Sequence, residues 1–176
     1  MTALIKLFWH FCLFRASPAQ SPYSPALFLL VLAAWLLVQL LVASLQNALP
    51  VGELMTSQVI SMAVVLAGCG LLLAFKRLSG RWLQTAMALV GVELMMTLVS
   101  LPLLLVRLSV TQPLPFLDGL YLMLISWQLA AQGFIYHRSL SVSPFLGLGV
   151  AITLLIVSYA LVVTLMPQIL ASAANG

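Results

Sequence analysis

Apolar residues along this chain fall into long runs, each closed off by turn-forming or charged positions. A helix needs about 20 predominantly apolar residues to cross the hydrocarbon core. That ruler marks five runs, at roughly 26–47, 55–75, 82–106, 116–136 and 145–167. Between them lie Asn47 to Glu53, Lys76 to Arg81, Arg107 to Pro115 and His137 to Pro144, every break holding Gly, Pro or a charge. Ser24-Pro25 and Ser143-Pro144 each place a capping hydroxyl before a proline, which is favoured at the first helical position, so two runs have marked starts. The pattern predicts an all-α integral membrane protein: five transmembrane helices over residues 24–167, a leading segment 1–23 and a short tail 168–176.

The leading segment carries its own pattern. Leu4 to Phe14 is too short to cross, yet Thr2, Lys6 and His10 recur at i, i+4 and share one helical side. This predicts a short amphipathic helix lying at the membrane interface. Lys6, Trp9 and Arg15 are its expected anchors, with Phe8, Phe11 and Phe14 beside Trp9 at the headgroup level and the two cations near anionic lipid. Ala16-Ser17-Pro18-Ala19 imitates a signal-peptide cleavage site. However, His10 interrupts a short apolar stretch, Arg15 precedes the site and Pro18 is a poor neighbour for cleavage, so the segment is expected to persist.

Composition narrows the class further. Of 176 residues, 64% are hydrophobic and 6% charged, whereas soluble domains carry about 25% charged residues. A water-soluble monomer is excluded, and the seven cations are too few for a nucleic-acid-binding face despite a pI near 9.5. Where those cations fall sets the orientation. Six of the seven lie in the leading segment and in the second and fourth breaks, and Arg107 lies on the other side, with Glu53 and Asp118. Because cytoplasmic loops are enriched in Lys and Arg, the N-terminus is expected in the cytoplasm and the C-terminus outside, in a bacterial inner membrane. Cys12 and Cys69 form no CxxC or Cys/His ligand spacing, and no disulfide is expected.

Candidate chemistry centres on Glu93, the one carboxylate near the middle of a predicted span, where ionisable groups are costly enough to mark a site. Glu93, Thr97 and Ser100 fall at i, i+4 and i+7, a polar stripe expected to face protein, and Pro102 is expected to kink the same helix towards the outer leaflet. At matching depth, Tyr121, Gln128, Gln132 and Tyr136 line one side of the fourth span, while Gln39, Ser158 and Tyr159 lie at similar heights in the first and fifth. Two roles for Glu93 follow: a neutral carboxyl that glues helices through Gln128 or Gln132, or a proton or ion relay. Catalysis finds little support, since there is no second buried carboxylate, no His near a Ser or Cys on one face and no phosphate cradle. No metal site or cofactor is expected, and His10 and His137 lack acidic partners. Ala63, Ala67, Gly68, Gly70, Gly147 and Ala151 would let helices approach closely. Phe11 to Arg15 before Ser24-Pro25 echoes Phe134 to Arg138 before Ser143-Pro144, which shared capping and charge placement explain without a duplication.

In its layout, and in Ser79-Gly80-Arg81-Trp82-Leu83-Gln84-Thr85 and Leu101-Pro102-Leu103, the chain resembles small bacterial Yip1-like membrane proteins. The resemblance implies five spans and a role in membrane organisation. The long acidic N-terminal region and the Asp-Leu-Tyr-Gly-Pro motif of the eukaryotic family do not occur in this sequence, so no GTPase-linked role and no catalytic residue carries over. The function expected first is a non-enzymatic accessory or scaffold protein acting by helix association, with the lipid bilayer and a membrane-protein partner or second copy as its partners. The alternative is a small transporter or a proton or ion pathway centred on Glu93.

Overall fold

A computed structural model of the chain describes residues 2–46, 49–110 and 115–167, without the side chains of residues 2 and 3. The expected outer tail, 168–176, lies outside the described residues. The described residues form six α-helices in order: α1 (Thr2–Cys12), α2 (Pro25–Leu45), α3 (Val51–Phe75), α4 (Trp82–Ser109), α5 (Pro115–Leu140) and α6 (Pro144–Leu165). Short 3-10 turns sit at Pro18–Gln20 and Ser79–Arg81, and no strand occurs among the described residues. The hydroxyls of Ser24 and Ser143 cap α2 and α6, accepting the amide protons of Leu27 at 3.4 Å and Leu146 at 3.3 Å.

By length and composition, four helices among the described residues are able to cross a membrane: α2, α3, α4 with the turn before it, and α6, with mean hydropathies of 2.7, 2.2, 2.2 and 2.5. The chain is thus a multi-pass helical membrane protein. α5 is different. Its 26 residues reach roughly 39 Å at 1.5 Å per residue, but Gln128, Gln132 and His137 interrupt its apolar sequence. One side of α5 is nonetheless apolar and exposed, through Leu122, Met123 and Ile125.

Short connections make successive helices antiparallel neighbours. α4 is the hub, touching α1, α2, α3 and α5, and α6 closes the bundle against α3 and α5. The α5–α6 seam is the tightest. A Cβ on Gly147 would strike the Gly133 carbonyl and the backbone of His137, and a Cβ on Gly133 would come within 2.9 Å of Leu148 Cα. Elsewhere Gly70 leaves room for the Trp82 indole, whose Nε1 donates to the Leu66 carbonyl at 3.2 Å. At one end of the bundle Lys76 Nζ donates to the Leu140 carbonyl at 3.1 Å, Gln84 Nε2 to the Ser21 carbonyl at 3.0 Å, and Arg81 and Arg138 flank Ser17 to Ala19. Arg107 pairs with Asp118 at the opposite end, at 2.6 Å. That pair is exposed and contributes little to stability.

α1 is amphipathic, as its spacing predicts, but its apolar face meets protein instead of lipid. Phe8, Phe11 and Cys12 are buried, whereas Ile5, Lys6, Trp9, His10 and Arg15 are exposed. Phe8 and Phe11, expected at the headgroup level, are therefore part of the core. The cause lies on α4, where Gly91 opens a slot that the Phe8 ring fills. The indole of Trp127 then donates to the Cys12 carbonyl at 2.8 Å, satisfying one of the orphan acceptors at the end of α1. Burial pushes the Cys12 thiol up to about 11, so it stays protonated and unreactive.

Three helices end in the same way without glycine. Phe14, Arg77 and Ser141 take the left-handed conformation, with φ of 59°, 58° and 51°. The next amide reaches back five residues: Arg15 to His10, Leu78 to Leu73 and Val142 to His137. This is the Schellman arrangement, in which glycine avoids the Cβ penalty. Ser141→Gly is accordingly expected to stabilise the protein by about 1 kcal/mol, and melting in detergent should rise by about 2–4 °C. An unchanged or lower melting temperature would mean that the serine makes a compensating contact.

Candidate functional site

Glu93 stands where the packing around α4 changes. Residues 85–92 are buried on every side, because α1 covers the flank that α2, α3 and α5 leave open. Beyond Glu93 the helix loosens, and Leu98, Val99, Leu105 and Val106 are exposed. At this boundary the carboxylate accepts two amides from α5 on the same oxygen: Gln128 Nε2 to Oε2 at 2.6 Å and Gln132 Nε2 to Oε2 at 3.2 Å. The four-residue spacing of the glutamines puts both on one helical face, directed at Glu93.

Other residues of the expected site behave differently. Thr97 donates back to the Glu93 carbonyl at 2.8 Å and Ser100 to the Thr97 carbonyl at 2.9 Å, so the stripe's hydroxyls satisfy their own helix and bridge to no other. α4 continues through Pro102 to Ser109. Gln39 is buried in α2 but does not join Glu93. Tyr159, largely exposed, forms one edge of the space in front of Glu93.

That space is a cavity of about 270 Å³. Every helix from α2 to α6 contributes to its wall: Trp35 from α2, Ser57, Gln58 and Ser61 from α3, Glu93 from α4, Gln128 and Gln132 from α5, and Ser158 and Tyr159 from α6. Carbon fills the rest, chiefly Met62, Val65, Leu89, Leu155 and Val162. No family model, curated protein or solved structure matches the chain.

Trp35, Ser57, Gln58 and Ser61 were not foreseen as members of this site. A signal for the last three exists, since Thr56-Ser57-Gln58 and Ser61 form the only polar cluster inside the run 55–75. None of the described lining residues is basic, leaving Glu93 as the cavity's single carboxyl group. With Oε2 occupied by both amides, the second carboxyl oxygen is left for whatever enters. The arrangement suits holding a proton, a cation or a neutral polar solute. It is unsuited to anions, which would meet no opposite charge.

Proposed function

We propose that the chain is a five-span inner-membrane protein, N-terminus in the cytoplasm and C-terminus outside, in which the Glu93 cavity carries a small solute or protons. The observation that supports this reading is the cavity itself: five helices surround one carboxyl group and a set of hydroxyls and amides at membrane depth, where unneeded polar groups are costly. The same geometry supports α5 as the fifth span. Its glutamines lower its hydropathy because they face Glu93, while its apolar face points outwards. Orientation rests on the cation-rich end formed by Lys76, Arg77, Arg81 and Arg138. The Yip1-like layout enters the proposal as architecture alone.

The test is flux. In proteoliposomes with an imposed pH gradient, the wild-type protein should dissipate the gradient faster than protein-free vesicles, and Glu93→Gln should return the rate to that of empty vesicles. Flux unaffected by Glu93→Gln would sink the pathway reading. No flux together with a stoichiometric partner in mild detergent extracts would favour the scaffold role instead.

A further inference from the structure

At the cation-rich end of the bundle a small cavity lies between Arg81, the residue before α4, and Arg138, in the last turn of α5. Ser17, Gln84 and the hydroxyl pair Thr85 and Ser139, bonded at 3.0 Å, share its wall. Gln84 also donates to the Ser21 carbonyl at 3.0 Å, which seats the stretch after α1 against α4. Lys76, held on the Leu140 carbonyl at 3.1 Å, adds a third cation just beyond Arg138.

No acidic side chain joins this group. The sequence holds three. Glu53 is in the first turn of α3, at the far end of that helix from Lys76, Asp118 pairs with Arg107 at the opposite end of the bundle, and Glu93 faces Gln128 and Gln132. Arginine keeps its charge at physiological pH, so two guanidinium groups on one cavity cannot relieve their repulsion by losing a proton. An anion relieves it.

Guanidinium forks match the oxygens of phosphate and of carboxylate. Position decides between the two. α4 begins at Trp82, directly after Arg81, and α5 ends at Leu140, so the cavity lies where helices leave the hydrocarbon, at the level of lipid headgroups. Basic pockets between helices at that level take lipid phosphates. Sites for whole organic ligands measure roughly 300–1,000 Å³, whereas this cavity has about 70 Å³, so one small group enters and the rest of the ligand stays outside. The sequence shows no glycine-rich phosphate cradle, and none is needed here, because the charges come from two helix ends that the fold brings together.

We propose that the cavity between Arg81 and Arg138 binds a phosphate group, carried by an anionic phospholipid or free in solution. Its occupant ties together the stretch after α1, the start of α4 and the end of α5. The site shares no residue with the Glu93 cavity and stands or falls apart from flux.

Binding to the purified full chain in a non-ionic detergent tests this, with three probes: short-chain phosphatidylglycerol, short-chain phosphatidylcholine and inorganic phosphate. Phosphatidylglycerol should bind at least about tenfold more tightly than phosphatidylcholine, whose choline group brings a cation back to the arginines. Arg81→Gln and Arg138→Gln should each weaken it about tenfold. Arg107→Gln, which removes an exposed arginine at the opposite end, should leave it unchanged. Inorganic phosphate that saturates the chain and displaces phosphatidylglycerol supports the site with free phosphate as an occupant, and lipid binding without that competition supports it with the lipid as occupant. Binding of either probe that ignores both Arg81→Gln and Arg138→Gln, or that falls equally with Arg107→Gln, would overturn the proposal, as would binding of neither. The lipid comparison on the wild-type chain needs no variant to fold, and equal, saturable binding of the two lipids there would also overturn it.

Discussion

Glu93→Lys is expected to be the most damaging single change in the bundle. It removes the acceptor of both Gln128 and Gln132 and places a cation at membrane depth, where translocon-based scales assign about 2.5–3.5 kcal/mol to a central charge. Glu93→Leu should cost less, leaving two amides unpaired at roughly 0.6–2 kcal/mol per interhelical hydrogen bond. Glu93→Gln preserves shape and bonding capacity and should be nearly neutral for stability. The order Lys, Leu, Gln in decreasing damage is checked by thermal melting in detergent. Equal melting for the leucine variant and wild type would show that the Gln128 and Gln132 bonds add nothing to the fold, even if flux is lost.

The second large effect is expected at the α5–α6 seam. Gly147→Leu drives a branched side chain into the Gly133 carbonyl and the His137 backbone, neither of which moves as a side chain would. Overpacking of this kind typically costs about 1–3 kcal/mol. Separation of α6 would also pull Ser158 and Tyr159 from the cavity wall, so flux should fall together with stability. Gly149→Leu, on the same helix with nothing within 4 Å of its added Cβ, is the control and should leave both unchanged. Similar losses at the two positions would mean that close backbone approach is not what holds α5 to α6.

These effects also show what was readable in the chain. Span limits are carried by Pro25, Pro144 and the charged breaks, which act locally and leave a one-dimensional trace. Depth is likewise additive along a helix, at 1.5 Å per residue, so counting inwards from the ends puts Gln128 and Gln132 level with Glu93, where they stand. Rotation is harder to read. Trp35 lies in an almost wholly apolar helix whose one mid-helix polar residue is Gln39, a turn further on, and its place on the cavity follows from how α2 leans on α3 and α4. Gln39, one turn on from Trp35 on the same buried face of α2, does not line the cavity. Ser57 and Ser61 are quiet signals because a serine in a helix commonly satisfies itself on its own backbone, as Ser57 does on the Leu54 carbonyl. The docking of α1 depends on Gly91, far along the chain from its own end at Cys12, and amphipathicity alone does not distinguish a lipid surface from a protein groove.

The account stands on α5 crossing the membrane and presenting its glutamines to Glu93. Accessibility of single introduced cysteines, in a variant with Cys12 and Cys69 replaced, measures this directly. Cysteines at Ser79 and Ser141 should be labelled only from the cytoplasm, and those at Gly52 and Val110 only from outside. Labelling of Ser79 and Ser141 from opposite sides would contradict the five-span account.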